Sequence, residues 1–164
     1  LRPALKIRVL WFGRSSADPF AAAVETYRTR VQRRWPAEDR ALRPASGGRE
    51  ADPQRALATE AEKVRGQLSG QWRMVALDER GKTMSSERFA RWIGDQQDAG
   101  TQGLLFVVGS DLGLQRELRR DAERVISLSQ MTLPHQLARL VLWEQLFRAT
   151  AILGGGGYHR HRVQ

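Results

Sequence analysis

A long run of apolar residues near the carboxyl end constrains this fold more than any other part of the sequence. Pro134 opens a predicted helix over residues 134–152, where its fixed φ and missing N–H carry no penalty. The apolar residues of this helix point in almost every direction: Leu137, Leu140, Val141, Leu142, Trp143, Leu146, Phe147, Ala149 and Ile152. A helix that is apolar all round is buried on both sides. One side can cover a sheet, and we expect the other to meet a second copy of the chain, with Trp143 and Leu146 at the interface.

Strand and helix patterns alternate along the rest of the chain. Branched apolar runs predict strands at residues 5–10, 72–77, 104–108 and 125–128, with a weak signal at 41–42. Asp-Pro pairs at 18–19 and 52–53, and Ser85 or Ser86, predict helix starts, and a short helix is predicted at 114–122. The loop at 44–51 is expected to be mobile. This alternation predicts a single α/β domain over residues 1–164, with a mostly parallel sheet and helices on both faces.

The charge of the chain indicates a polyanionic partner. Its formal net charge is +9, and only three of its 27 basic residues are lysines. Arginine suits phosphate and stacks on bases, so nucleic acid is the favoured partner, with Arg28 and Arg30 on the first helix as candidate contacts. The alternative is an arginine-rich proteome that uses arginine on ordinary solvated faces. The chain has no cysteine and no apolar run long enough to cross a bilayer, which predicts a cytoplasmic protein without membrane contact.

Three predicted strand ends lie where ligands bind in parallel sheets, outside the carboxyl ends of the strands. The first is at Leu77, the second is the loop Gly109-Ser110-Asp111-Leu112-Gly113, and the third is the stretch from Leu128 to Leu133. Glycine at 109 permits close backbone approach to a ligand. That signal is weak alone, because any strand-to-helix turn can use glycine. Three histidines without carboxylates at metal-ligand spacing predict no metal site.

The last forty residues resemble a known family closely. The matching segments are Ser127-Leu128-Ser129-x-Met131-Thr132-Leu133-Pro134-His135-Gln136-Leu137-x-Arg139, Glu144-Gln145-Leu146-x-Arg148-Ala149 and Tyr158-His159-Arg160. They resemble the large-subunit ribosomal methyltransferases, members of the SPOUT class, that act on N3 of pseudouridine 1915 in 23S rRNA. The resemblance covers nearly the whole chain. It departs from the family at Ser110, where a second glycine is usual, and at Gly157, where a proline is usual.

The resemblance implies a fold, a cofactor and a site. It implies a C-terminal trefoil knot formed by the loop after Leu128 and the following helix, and S-adenosylmethionine (SAM) as the methyl donor. It implies that the cofactor is held by the matching residues: Leu77, Gly109, Leu128, Ser129, Gln130, Met131, Thr132 and Leu133. It also implies that Tyr158, His159 and Arg160 act on the target base, with His159 either the proton acceptor or a positioning residue. Because this tail follows the helix expected to form a homodimer, it can reach the site of the other copy.

Other residues of the same segment have simpler expected roles. His135 is expected to be a neutral histidine bonded to backbone, and Arg139 is a candidate contact to substrate phosphate. Glu144, among apolar residues, is expected to pair with an arginine. Two alternatives to methylation of pseudouridine 1915 remain open: a methyltransferase of this class with another RNA target, or a non-catalytic RNA- or ribosome-binding protein. A small-molecule enzyme is disfavoured by the charge.

Overall fold

The computed structural model describes residues 4–45 and 52–159, so part of the predicted loop at 44–51 lies outside the described residues. Within this part the chain forms five strands: β1 (Lys6–Phe12), β2 (Ala37–Leu42), β3 (Trp72–Lys82), β4 (Gly103–Val108) and β5 (Arg124–Ile126). It forms five α-helices, α1 (Ala21–Gln32), α2 (Pro53–Arg65), α3 (Ser86–Asp98), α4 (Arg116–Asp121) and α5 (His135–Gly154), and a short 3-10 turn at Ser15–Ala17.

The five strands make one sheet in the order β2-β1-β4-β3-β5, and every neighbouring pair is parallel. The central strand β4 is buried along its whole length, as expected for a continuous apolar run in a sheet covered on both faces. The prediction of an α/β fold with a parallel sheet is therefore confirmed. All carboxyl ends lie at one edge, which brings the ends of β3, β4 and β5 side by side.

Each face of the sheet has its own apolar core. One core joins alternate residues of β1, β3 and β4 to buried residues of α1, α3 and α5. The other joins the intervening residues of the same strands to α2 and α4. Because successive residues of a strand point to opposite faces, one strand supplies both cores. The prediction of helices on both faces is confirmed, while the trefoil knot stays a prediction.

The environment of α5 corrects one expectation. Trp143 and Leu146, expected at an interface between two copies, are fully buried within the chain. Helices α1 and α3 pack against α5 and cover the side that the sheet does not reach. The prediction was wrong because it counted the sheet as the only partner within the chain. Two other apolar residues of α5, Leu137 and Val141, are only half-buried and belong to neither core.

Helix starts follow the predicted caps in two cases of three. The Asp52 carboxylate accepts from Gln54 N at 3.0 Å, and the Ser85 hydroxyl accepts from Arg88 N at 3.2 Å. At the first helix the Asp18 carboxylate accepts from Phe20 N at 2.8 Å, but α1 begins only at Ala21. Asp18 is buried and its second carboxylate oxygen is occupied by a contact with α5, described below, rather than by the helix end.

Candidate active site

A cavity of about 510 Å³ opens at the carboxyl edge of the sheet, where the ends of β3, β4 and β5 meet the start of α5. This volume lies within the usual range for small-molecule sites. Of the residues predicted to bind a cofactor, all but one line it: Leu77, Gly109, Leu128, Ser129, Met131, Thr132 and Leu133. The exception is Gln130, whose contact with the cofactor stays a prediction. It is exposed and lies outside the lining, because the loop turns it toward solvent.

The loop after β4 turns too tightly for any side chain at its first position. A Cβ atom added at Gly109 would lie 2.6 Å from the carbonyl oxygen of Gly113. Gly113 itself has φ +82°, a conformation that glycine adopts at little cost. Its amide donates to Ser110 O at 2.8 Å. The backbone at 109–113 is thus folded back on itself and presented to the cavity without a side chain at either end.

Two side-chain contacts join the loops around the cavity. Thr132 donates its hydroxyl to the Glu79 carboxylate at 2.7 Å, which ties the loop after β5 to the end of β3. His135 Nδ1 lies 2.7 Å from Asp111 Oδ1, which ties the start of α5 to the loop after β4. His135 therefore bonds a carboxylate rather than backbone, contrary to expectation. No local pattern in the sequence indicated either pairing, since each joins residues more than twenty positions apart.

The described part of the tail, up to His159, folds back onto α5. Gly155 adopts φ +71°, and the chain then returns along the helix so that Tyr158 packs on Phe147 with ring centroids 4.6 Å apart. The Tyr158 hydroxyl donates to Glu144 at 3.0 Å. His159 lies between two charged groups, with Nε2 2.7 Å from Glu87 and Nδ1 3.2 Å from Arg148.

The docked tail forms a polar cluster, called the tail cluster below, that contains Glu87, Glu144, Arg148, Tyr158 and His159. Partial withdrawal from water is the main cause that raises the pKa of Tyr158 to about 12, and the Tyr27 hydroxyl and the Glu144 carboxylate add to it. Tyr158 is therefore a neutral hydrogen-bond donor at physiological pH. The hydrogen bond from Arg148 to Glu144 raises the pKa of the guanidinium. That guanidinium can only donate, so a hydrogen bond to Nδ1 of His159 requires this nitrogen to accept. The expected pairing of Glu144 with an arginine is confirmed within one helix.

Comparison with known proteins identifies the family. The family model described as predicted SPOUT methyltransferase matches residues 5–159. The chain belongs to the SPOUT methyltransferase family. It is 37% identical over 155 residues to a protein named ribosomal RNA large subunit methyltransferase H from Geobacter sulfurreducens, covering 94% of this chain and 99% of that one. A protein of the same name from Allorhizobium ampelinum is 36% identical over 95% of this chain and 99% of its own length. Another, from Koribacter versatilis, is 36% identical over 94% of this chain and 98% of its own length.

The cavity fits the methyl donor that the SPOUT family uses. SAM carries a sulfonium, an ammonium and a carboxylate, so its net charge is positive, and its adenine ring has flat apolar faces and a polar edge. Three acidic residues line the cavity, Asp78, Glu79 and Asp111, against one arginine, Arg80, and this excess of negative charge favours a cationic ligand. Leu112 and Met131 at its mouth are 47% and 78% exposed, which leaves apolar surface ready to cover a ring. The tight turn that glycine permits at 109 places backbone of this loop at the cavity wall.

Arg139 corrects a further expectation. Its side chain is only 4% exposed, and its guanidinium pairs with the carboxylates of Asp18 and Asp39. Asp39 also accepts from the indole nitrogens of Trp11 at 2.9 Å and Trp143 at 2.8 Å. The guanidinium lies 3.7 Å above the Trp11 ring. Arg139 is therefore neutralised and enclosed by its own chain, and the prediction that it contacts substrate phosphate is wrong.

The two arginines predicted on α1 differ from each other. Arg28 donates to both oxygens of Glu25 and to Ala37 O, so its guanidinium already has partners within the chain. The hydrogen bond with Arg28 lowers the pKa of Glu25. Arg30 is exposed, and its guanidinium lies 5.3 Å from the Phe147 ring and 5.9 Å from the Tyr27 ring. RNA binding at both stays a prediction, and Arg30 is the better placed.

Two further properties concern residues 4–45 and 52–159 only. No group of three histidine, aspartate or glutamate side chains there is arranged to hold a metal ion. No helix in that part is both long and apolar enough to cross a membrane. Arg160, the third predicted tail residue, lies outside the described residues.

Proposed function

We propose that this chain uses SAM to methylate N3 of pseudouridine 1915 in the 23S rRNA of the large ribosomal subunit, in the cytoplasm. One observation carries the proposal: three loops far apart in sequence form a single cavity of about 510 Å³ in a chain of the SPOUT methyltransferase family. The ribosomal target is supported by relatives that are named ribosomal RNA large subunit methyltransferase H.

The residues of the cavity bind and orient the cofactor, which supplies a methyl group already activated for transfer. Leu77, Leu128 and Leu133 enclose the adenine, while the backbone beside Gly109 and along residues 129–132 reads its polar edge. The carboxylates at the rim attract its cationic end. Because the donor is activated in advance, the protein's main tasks are alignment and removal of the N3 proton.

The tail acts on the target base. Tyr158 is protonated and donates a hydrogen bond, and His159 handles the N3 proton or positions the group that does. In the described structure neither residue lines the cavity, and both ring nitrogens of His159 face charged partners. The tail must therefore leave this position to reach a base. The glycine run at 154–157 permits the rearrangement, since glycine restricts the backbone least.

A second copy of the chain completes the site. Leu137, Val141, Glu144 and Arg148 recur at intervals of three or four residues along α5, so they share one face. The apolar pair is half-buried and outside both cores, and the charged pair belongs to the tail cluster. A partner chain that covers this face brings its cavity toward the tail. Val141→Asp is expected to yield monomers by light scattering, while a stable monomer of the unaltered chain would contradict the dimer.

Transfer of labelled methyl from SAM to large subunits tests the function, followed by mapping of the modified nucleotide. Label at pseudouridine 1915 is the expected result. Label at another nucleotide would assign a different RNA target, and cofactor binding without transfer would favour a non-catalytic RNA-binding protein.

Mixed dimers test the crossing of the tail. A chain truncated after Gly157 is expected to fold and to bind SAM but to lose most turnover, and Gly109→Val is expected to block the cavity of a full-length chain. Each protein alone is then inactive. Mixing them restores activity only if an intact cavity meets an intact tail from the other copy. Full activity of the truncated chain alone would remove the tail from the mechanism.

A further inference from the structure

Glu60 on α2 is a buried carboxylate that forms no ion pair with any side chain of the described residues. The residue is only 4% exposed. Among the described residues, no lysine, arginine or histidine lies within salt-bridge distance of it. Its two oxygens accept from neutral donors instead: Oε1 from the Ser110 hydroxyl at 2.7 Å and Oε2 from Ala45 N at 3.1 Å. A buried charge held only by neutral donors is costly to keep.

One of those donors belongs to the cavity wall. Ser110 is the second residue of the loop after β4. Its hydroxyl donates to Glu60, and its oxygen also accepts from Leu112 N at 3.3 Å. The backbone of the same residue closes the turn through Gly113 N at 2.8 Å. Ser110, Leu112 and Gly113 all line the cavity.

We propose that Glu60 is a positioning residue for cofactor binding, acting through the Ser110 hydroxyl to hold the loop at 109–113 in its binding conformation. The inference rests on the proposed function, because it assigns the cavity to SAM. A charged acceptor fixes the direction of the hydroxyl proton, and hydrogen bonds to charged groups are stronger than those between neutral groups. The hydroxyl oxygen is then left facing the Leu112 amide. Without this tether the loop must be ordered by the ligand, which weakens binding.

The experiment measures binding of S-adenosylhomocysteine by calorimetry to four proteins: the unaltered chain, Ser110→Ala, Glu60→Gln and the double variant. Ser110→Ala removes only the hydroxyl. Glu60→Gln keeps the shape of the side chain but replaces one acceptor oxygen by an NH2 group. The remaining oxygen would have to accept from both the Ser110 hydroxyl and Ala45 N. Each single variant is expected to bind about tenfold more weakly, and the double variant also about tenfold, because all three remove the same interaction.

Steady-state kinetics separates positioning from a purely structural role. The loss is expected in KM for SAM, with kcat at saturating SAM within about twofold of the unaltered chain, because a bound cofactor orders the loop. A role in folding alone would lower the unfolding midpoint and leave the dissociation constant of the folded protein unchanged. Glu62→Gln is the matched control, since Glu62 is exposed on the same helix and the change in charge is the same.

The outcomes separate this inference from the proposed function. If the unaltered chain binds S-adenosylhomocysteine and both single variants bind it as tightly, Glu60 has no positioning role. A double variant about a hundredfold weaker, the product of two independent losses, would also overturn the pairing. No binding by the unaltered chain would overturn the cofactor assignment and this inference together. If Glu60→Gln does not fold, Ser110→Ala alone decides, since it leaves the buried carboxylate in place.

Discussion

Replacing Arg139 with methionine is expected to destabilise the fold by about 3–5 kcal/mol, the usual effect of removing one partner of a buried ion pair. The side chains of Arg139, Asp18 and Asp39 are 4%, 0% and 10% exposed, so solvent does not screen their interaction. Methionine keeps much of the aliphatic stem, and the change therefore removes charge more than volume. Two carboxylates stay behind with only neutral donors, among them Phe20 N and the indole of Trp143.

Urea unfolding, followed by the fluorescence of the buried tryptophans, measures this effect. In a chain of this size, 3–5 kcal/mol corresponds to a fall in Tm of about 6–20 °C. Arg65→Met is the matched control: Arg65 pairs with Asp121 at 2.8 Å, but both side chains are more than 40% exposed. Its loss is expected to change stability by less than about 1 kcal/mol. Because Arg139 is enclosed, its replacement is expected to leave the salt dependence of RNA binding unchanged.

An Arg139→Met variant that is no less stable than Arg65→Met would contradict the expected loss from the buried ion pairs. A second comparison tests the cause. Neutralising both aspartates in the Arg139→Met background, by Asp18→Asn and Asp39→Asn, is expected to recover part of the lost stability, because no uncompensated charge is then buried. A triple variant that is less stable than the single one would show that the carboxylates are not the source of the loss.

Three further predictions concern the cavity, the tail and the RNA. Gly109→Ala is expected to weaken SAM binding at least about tenfold, because its Cβ would lie 2.6 Å from a backbone oxygen. Gly70→Ala is the control, since its Cβ meets nothing within 4 Å. Equal affinities of the two variants in calorimetry would contradict a role for the tight loop at 109–113 in binding. The raised pKa of Tyr158 means that the docked tail keeps its phenol proton to a higher pH than the unfolded chain does, so the stability from docking is complete below about pH 10 and is lost as the pH rises through about 12. Subtracting the phenolate titration of Tyr158→Phe from that of the unaltered chain isolates this group, and a difference that titrates near pH 10 would refute the prediction. Arg30→Gln is expected to weaken ribosome binding and reduce its salt dependence more than Arg28→Gln does, since Arg28 already pairs within the chain. Ribosome binding by the unaltered chain that does not change with salt concentration would refute an electrostatic contact.

Local patterns predicted the elements well, because each is encoded within a few residues. The uninterrupted apolar run at 104–108 indicated a strand covered on both faces, and β4 is such a strand. The Asp52-Pro53 pair indicated a cap, and the Asp52 side chain forms it. The same Asp-Pro signal at residue 18 was only half right. The Asp18 carboxylate has a distant partner, Arg139, that competes with the helix end for its oxygens.

The loops of the candidate site were predictable from the strand ends, and the resemblance supplied their ligand. Motif positions located the loops at 109–113 and 128–133, and the parallel sheet brings them to one edge. The side chains that connect these loops were not predictable. Glu60 and Ser110 are fifty positions apart, and Thr132 and Glu79 fifty-three. Whether a charged side chain is buried or paired depends on packing between elements that are far apart in the sequence, and local spacing does not encode that packing. Arg139 was misassigned for that reason.

The length of α5 fixes the distance between the cavity and the docked tail of the same chain. At about 1.5 Å per residue, His135 at the cavity and Phe147 under the tyrosine ring are separated by about 18 Å along the helix axis. Arg139 anchors the first turns of this rod to β2 and to the loop before α1, so it cannot slide toward the tail. Methyl transfer takes place only when the donor and acceptor atoms are in contact. With the tail docked as described, Tyr158 and the cavity of the same chain are therefore held apart by this helix. A base at that cavity can be reached only by a released tail or by the tail of a second copy.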